Sequence, residues 1–130
     1  DGRGMLITGT NDWKNYTVSA NVRYELVKSG GIAARVQGLQ RYYSLEFSSD
    51  NKFRLVKMLD GLNILKEIDM KLEFQKHYDL SLKVEDNHLT GYLNNKPVIE
   101  YEDTTNSLDQ GGVGFVVESG TQSTNEIKIS

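Results

Sequence analysis

The run from residue 31 to residue 47 carries side chains that could hold a ligand on a sheet surface. Apolar and polar positions alternate along it, as in β-strands, whose successive side chains point to opposite faces. The positions expected on the polar face are Arg35, Tyr42, Ser44 and Glu46. A guanidinium, a phenol, a hydroxyl and a carboxylate on one rigid face can bind a polyhydroxylated ligand. They are also compatible with an ordinary solvent-facing surface.

Further cations are expected close to this surface. Arg41 begins the second strand of the run, and more cations follow in the next strand. Planar guanidinium groups suit bidentate recognition of polar ligands. An Arg35–Glu46 pair on neighbouring strands is more commonly a cross-strand ion pair, worth about 0.2–1 kcal/mol, so both roles stay open. The predicted ligand-binding residues are Arg35, Tyr42, Glu46, Arg54 and Lys57.

Length and composition limit the classes of protein. We expect one domain over residues 1–130, excised from a larger protein because Asp1 is not a natural initiator. A net charge of −3 supplies no basic field for a phosphate backbone, so no nucleic-acid partner is expected. No apolar run approaches the roughly 20 residues that span a bilayer. The absence of cysteine excludes disulfides and thiol catalysis but leaves the compartment open.

The elements that must position these residues are almost all strands. In the first strand of the run, Ile32, Ala34 and Val36 are expected on the core face. Similar alternation recurs at residues 16–24, 80–84, 113–117 and 127–129. About eleven short strands predict an all-β fold, a two-sheet antiparallel β-sandwich or jelly roll. The turn pairs between the runs are Asp50-Asn51, Asp60-Gly61, Asp86-Asn87 and Asn94-Asn95.

The segment from residue 62 to residue 76 also admits a helix. Its leucine, lysine and glutamate content is typical of an amphipathic helix. Its apolar residues nevertheless recur with period two, whereas at about 100° per helical residue they would divide between two faces. We therefore predict a strand. The residues that alternate in this way are Ile68, Met70, Leu72 and Phe74.

Four segments, in this order and spacing, resemble a known module: RGMLITGTNDWKNYTVSANV, GIAARVQGLQRYYSLEF, FRLVKMLDG and GGVGFVVES. The module is the concanavalin A-like, laminin-G-like β-sandwich found beside the catalytic domain of some bacterial ADP-ribosylglycohydrolases. The resemblance implies an accessory domain that binds a carbohydrate or sugar-containing ligand, or that orients its neighbouring domain. The parent's helices and magnesium-binding acidic clusters are absent from this sequence, so no catalysis is implied. The implied compartment is cytoplasmic for such a parent and extracellular for a carbohydrate-binding module.

One acidic pair is similar to a catalytic motif of the same superfamily. The sequence from Glu67 to Met70 comes close to the motif of the family-sixteen glucanases, in which paired carboxylates about 5 Å apart suit a retaining mechanism. That motif closes with a glutamate four or five positions after the first, where this chain has Lys71 and Leu72. We therefore expect an exposed charged strand face and no enzyme active site.

Three further features give weaker predictions: two histidines, the single tryptophan and the aspartates in turns. His77 and His88 lack a partner histidine at zinc-binding spacing. Trp13 precedes the first long strand, where an indole more often fills the core than stacks on a sugar. Sandwich lectins often bind calcium, although turn aspartates usually serve the turn geometry. The candidates for structural calcium are Asp50, Asp60, Asp103 and Asp109.

Overall fold

The computed structural model describes residues 3–8, 13–23, 27–48, 50–71, 73, 76–120 and 123–129. These residues form eleven β-strands, and none belongs to a helix that could cross a membrane. The strands are β1 (Arg3–Thr8), β2 (Tyr16–Arg23), β3 (Val27–Gly38), β4 (Arg41–Ser48), β5 (Lys52–Leu59), β6 (Leu62–Asp69), β7 (His77–Glu85), β8 (His88–Leu93), β9 (Lys96–Glu102), β10 (Gly112–Gly120) and β11 (Ser123–Ile129).

The strands form two antiparallel sheets. The six-stranded sheet has the order β1-β10-β3-β4-β5-β6, and the five-stranded sheet has the order β11-β2-β7-β8-β9. The core lies between them, because strands β2 to β10 turn apolar side chains toward the opposite sheet. Burial of each such side chain contributes about 1.5–3 kcal/mol. The prediction of an all-β, two-sheet antiparallel sandwich is confirmed.

Tight hairpin turns join the strands at the predicted turn pairs. Asn51, Asp60, Asp86 and Asn94 have φ angles of 62°, 54°, 53° and 50°. Asparagine and aspartate tolerate this left-handed region better than other residues with a Cβ, since their short polar side chains can hydrogen-bond locally. The turn predictions are confirmed at these positions.

The predicted strand over residues 62–76 is confirmed only in its first half, as β6. The strand ends at Asp69, which is opposite Lys52, the first residue of β5. Because β5 begins at Lys52, no residue of β5 is opposite Met70, whose N–H donates instead to the carbonyl oxygen of Asn51 at 2.8 Å. Leu72 and Phe74 lie outside the described residues.

β3 contains a bulge at Arg35. The register of β3 with β4 shifts just after Ala34, and the φ angle of Arg35 is +50°. An extra residue in a strand moves the alternation of its side chains by one position. Val36 therefore packs with Ala33 on the outer face and not with Ala34 in the core. The prediction that Val36 faces the core is wrong for this reason.

Candidate functional site

The outer face of the six-stranded sheet carries part of the predicted site. Tyr42, Ser44 and Glu46 alternate with core residues along β4 and so lie on this face, as predicted. All three side chains are buried, however. Tyr42 packs in a second apolar cluster that includes Met58 and Val116, and the hydroxyl of Ser44 donates to the carboxylate of Glu46. The expectation that these residues form an open surface is wrong.

Arg35 lies at one end of the sandwich and is only 1% exposed. Its guanidinium donates to the carbonyl oxygens of Lys14 at 3.0 Å and Leu108 at 2.9 Å, and to that of Asp86. It also donates to Oδ1 of Asn15 at 3.0 Å. The predicted exposed position of Arg35 is wrong, because the bulge directs its side chain into a ring of acceptors. Its role in ligand binding has no support from these surroundings.

Three hydrogen bonds and one close backbone approach hold the bulge in place. The backbone N–H of Arg35 donates to the hydroxyl of Tyr16 at 2.6 Å, and that hydroxyl donates to the carbonyl oxygen of Gly112 at 3.0 Å. A Cβ atom at Gly111 would lie 2.4 Å from the carbonyl carbon of Arg35, so only glycine fits there. The N–H of Gly111 in turn donates to the carbonyl oxygen of Trp13 at 2.8 Å.

Burial shifts the pKa values of Tyr16 and Arg35. It raises the pKa of Tyr16, against the opposing effect of Arg35. Burial also lowers the pKa of Arg35, an effect that nearby Tyr43 and Tyr16 oppose.

Trp13 lies where the sequence predicts it, at the core. It packs partly buried against the core, and it meets the ring of Tyr16 edge-on at 5.9 Å between ring centroids.

Lys57 is not on the outer face either. It follows Phe53 and Leu55 on the inner side of β5, where the core ends. Its ammonium group forms an ion pair of 2.7 Å with Asp103 and donates to the carbonyl oxygen of Thr105. The predicted surface position of Lys57 is therefore wrong: alternation along β5 separates it from Arg54.

Arg54 is the one predicted site residue whose side chain is accessible, at 23% exposure. It is opposite Glu46 in β4 and Glu67 in β6. Its Nε donates to Oε2 of Glu67 at 2.8 Å, and its Nη2 donates to Oδ2 of Asp50 at 3.0 Å. The hydrogen bond to Glu67 raises the pKa of Arg54. We call Asp50, Arg54 and Glu67 the Arg54 surface.

The hydroxyl of Ser48 fixes one side of the Arg54 surface. It donates a hydrogen bond to Asp50, which lowers the pKa of that carboxyl, and Arg54 acts in the same direction. Asp50 is thus ionised at neutral pH. The guanidinium therefore lies between two carboxylates.

An apolar strip adjoins the Arg54 surface. Leu62 and Ile64 are opposite Met58 and Val56, which places them on the same outer face. Their exposures are 47% and 46%. This part of the sheet therefore combines fixed charged groups with accessible aliphatic side chains.

Glu67 and Asp69 show the charged strand face expected for them. Glu67 is bound to Arg54, and Asp69 forms an ion pair with Lys52. Both carboxylates are therefore bound by basic side chains of β5.

Two of the four candidate calcium ligands, Asp103 and Asp50, are bound to other groups of the protein. Asp103 accepts hydrogen bonds from Lys57, Tyr43 and the N–H of Thr105, and Asp50 is bound to Arg54. Within the described ranges, no three His, Asp or Glu side chains are grouped as a metal site would require. Structural calcium stays a prediction.

The outer face of the five-stranded sheet carries a row of hydrogen-bonded polar side chains on β2 and β7 that was not predicted as a site from the sequence. Nδ1 of His77 lies 2.7 Å from Oδ1 of Asn21, and Nδ2 of Asn21 donates to Oδ1 of Asp79 at 2.7 Å. The hydroxyls of Ser19 and Ser81 lie 2.8 Å apart. The signal was the run of small polar residues at alternate positions of β2 and β7, which is equally typical of a solvated face.

Comparison with known proteins identifies one family. The family model described as the galactocerebrosidase C-terminal lectin domain matches residues 2–126. None of the curated protein sequences compared with the chain matches it. Neither the family nor the solved structures described below are ADP-ribosylglycohydrolases. The association of this chain with such an enzyme therefore stays a prediction.

Solved structures share the fold at low sequence identity. The carbohydrate-binding module CBM66 from Bacillus subtilis has a TM-score of 0.89 and 16% identity, over 100% of this chain and 83% of that one. The Caenorhabditis elegans galectin LEC-6 has a TM-score of 0.71 and 10% identity, over 100% and 91%. Sheep galectin-11 has a TM-score of 0.70 and 12% identity, over 100% and 98%. At these identities the likeness shows the fold alone.

Proposed function

This chain belongs to the galactocerebrosidase C-terminal lectin domain family, and we propose that it binds a carbohydrate through the Arg54 surface without catalysing a reaction on it. The observation that carries the proposal is the guanidinium of Arg54, held between Glu67 and Asp50 on an accessible sheet face. The family name and the names of the structural neighbours, which include a carbohydrate-binding module, support the ligand class.

The geometry of Arg54 suits sugar hydroxyls. Its two carboxylate contacts use two of its five N–H groups, and the other three have no hydrogen-bond partner among the described residues. The carboxylates of Asp50 and Glu67 are acceptors for the hydroxyl hydrogens. A ligand hydroxyl can thus meet a donor and an acceptor whose positions are already fixed, which reduces the entropy lost on binding.

The adjoining apolar strip fits the same ligand. A sugar ring presents C–H groups on one face and hydroxyls around its rim, so a site needs an apolar contact beside its polar groups. Leu62 and Ile64 supply that contact on the outer face. Tyr42, one of the predicted ligand-binding residues, is buried and takes no part in the proposal.

The test is glycan-array screening of the chain followed by titration calorimetry with the glycan that binds. Arg54→Ala should weaken binding about tenfold or more, since hydrogen bonds to a charged group contribute about 1.5–3 kcal/mol. Arg54→Lys should weaken it as well, because an ammonium lacks the planar fork. Arg41→Ala is the matched control, since Arg41 is exposed at the start of the same strand pair and bound to Gln37. Unchanged affinity in Arg54→Ala, or no bound glycan, would refute the proposal.

A second candidate role is attachment to a neighbouring domain. It is favoured by the exposure of Leu62 and Ile64 on the edge strand β6, since a domain interface also buries accessible aliphatic side chains. Substituting both with serine should then release the neighbouring domain in the full-length protein, measured by limited proteolysis at the domain boundary. An unchanged cleavage rate would remove this role.

A further inference from the structure

A trough crosses the outer face of the five-stranded sheet. It consists of three adjoining depressions of about 260, 360 and 330 Å³. The first two share Ser81 and Asn95, and the last two share Lys83 and Tyr92, so the depressions are continuous. They run over β2, β7, β8 and β9. Four strands at a spacing of about 4.8 Å give a length of roughly 14 Å.

Small hydroxyl side chains make the floor of the trough. Ser19 and Ser81 are directly opposite on β2 and β7, with their hydroxyls 2.8 Å apart, and Thr17 adjoins them on β2. The longer side chains of Lys83 on β7 and Tyr92 on β8 line the trough beside these hydroxyls.

The polar groups at one end are fixed by one another. Asn21 bridges His77 and Asp79 through contacts of 2.7 Å each, and the N–H of Asp79 donates to Oδ1 of Asn94 at 2.9 Å. Amide and carboxylate oxygens held in this way offer acceptors at defined positions. Little side-chain entropy remains to be lost when a ligand binds them.

An aromatic ring stands in the middle of the trough. Tyr92 is opposite Ser81 and half-buried, and it contributes to two of the three depressions. A tyrosine offers an apolar ring face together with a polar hydroxyl. This combination suits the C–H face and the hydroxyls of a sugar.

Other ligand classes fit less well. The charges are mixed, with Lys83 near Glu85 and Glu100, so no field of one sign selects a polyanion. An extended peptide would add to a free sheet edge, whereas β7 and β8 are paired on both sides. Compared with a polyanion or an extended peptide, a neutral chain of polyhydroxylated units fits the trough better.

We propose that this trough binds a linear, uncharged oligosaccharide of several units, with Tyr92 as the stacking platform and Ser81 and Asn95 as hydrogen-bonding groups. The site is separate from the Arg54 surface, which is on the other sheet. The proposal does not depend on the function proposed for that surface. Because the trough is longer than one sugar ring, affinity should rise with the length of the oligosaccharide.

The probes are malto-, cello- and xylo-hexaose, each compared with its monosaccharide by titration calorimetry on the chain. At least one hexaose should bind, and at least tenfold more tightly than its monosaccharide. Tyr92→Ala should weaken that binding tenfold or more, whereas Tyr92→Phe, which keeps the ring, should retain it to within about threefold. Thr17→Arg fills the floor from a half-buried position and provides a second variant that should abolish binding. Thermal melting checks that each variant is folded.

Arg41→Ala, on the six-stranded sheet, is the control for the trough variants. It should leave hexaose binding unchanged. The proposal is overturned if none of the three hexaoses binds, or if Tyr92→Ala and Thr17→Arg bind as well as the unmodified chain. It is also overturned if Arg54→Ala alone removes the binding, a result that would support the Arg54 surface.

Discussion

The ammonium nitrogen of Lys57 lies 2.7 Å from a carboxylate oxygen of Asp103, and the two side chains are only 7% and 4% exposed. The same oxygen accepts the hydroxyl of Tyr43 at 2.6 Å, and that hydroxyl accepts the N–H of Leu108 at 2.9 Å. This network ties the centre of the six-stranded sheet to the segment between β9 and β10. Because the charges are buried, each depends on its partner for stability.

Loss of one partner of this ion pair should be more damaging than loss of both. Lys57→Met leaves the carboxylate of Asp103 buried beside an apolar chain, at an expected cost of about 3–5 kcal/mol. The double variant Lys57→Met/Asp103→Leu should recover most of that loss. Urea denaturation measures both, with exposed Lys71→Met as the control, expected within about 0.5 kcal/mol of the unmodified chain. Equal destabilisation by the single and double variants would contradict this account.

The same network predicts a loss of stability in acid. Burial alone would raise the pKa of Asp103, but hydrogen bonds from Lys57, Tyr43 and the Thr105 N–H outweigh it and hold the pKa below its ordinary value of 3.8. A carboxyl with a lower pKa in the folded state stabilises the fold above the unfolded pKa, and this contribution disappears as pH falls through the folded pKa.

Asp103→Asn tests this pH dependence. The variant should be less stable than the unmodified chain at pH 7, and the difference in free energy of unfolding should shrink below about pH 4. The measurement is urea denaturation at a series of pH values from 7 to 2. A difference that stays constant over this range would show that Asp103 does not contribute through its charge.

Regular alternation is sufficient to predict the inner face of β4. Tyr43, Leu45 and Phe47 all lie in the core, because β4 pairs with β5 without a register shift. The same rule fails in β3, where the bulge at Arg35 moves Val36 to the other face. Gly111, which makes room for this bulge, is far away in the sequence, so local patterning does not reveal it.

The accessibility of the predicted site follows from neighbours that are distant in sequence. Tyr42 and Glu46 have the polar-face positions that alternation predicts, yet they are buried. Tyr42 belongs to a buried apolar cluster with Val116 of β10, and only the sheet order brings these strands into one layer. Arg54 is on β5, next to the edge strand β6. There the side chain that alternation places on the outer face is also accessible.

Arg35 should act on stability and not on ligand contact. Arg35→Met keeps an unbranched side chain but removes the guanidinium donors to the carbonyl oxygens of Lys14, Asp86 and Leu108, whereas Oδ1 of Asn15 keeps the N–H of Asp86. Buried acceptors without donors cost about 1–3 kcal/mol each, so we expect a loss of roughly 3 kcal/mol or more. Urea denaturation measures the loss, with exposed Arg41→Met as the control. A variant as stable as the unmodified chain would show that water replaces the guanidinium.

Two glycines of β3 provide a matched pair of variants that tests how closely β3 and β4 approach. A Cβ atom at Gly31 would lie 1.9 Å from the carbonyl oxygen of Leu45 and 2.8 Å from Cα of Glu46, and both are backbone atoms that cannot move aside cheaply. At Gly38, in the same strand, a Cβ atom would meet nothing within 4 Å. Gly31→Ala should therefore destabilise the fold by about 1–3 kcal/mol or more, the usual cost of overpacking, whereas Gly38→Ala should be neutral or slightly stabilising. Thermal and urea unfolding of both variants measure the difference, and equal stabilities would mean that the strands separate at Gly31 without cost.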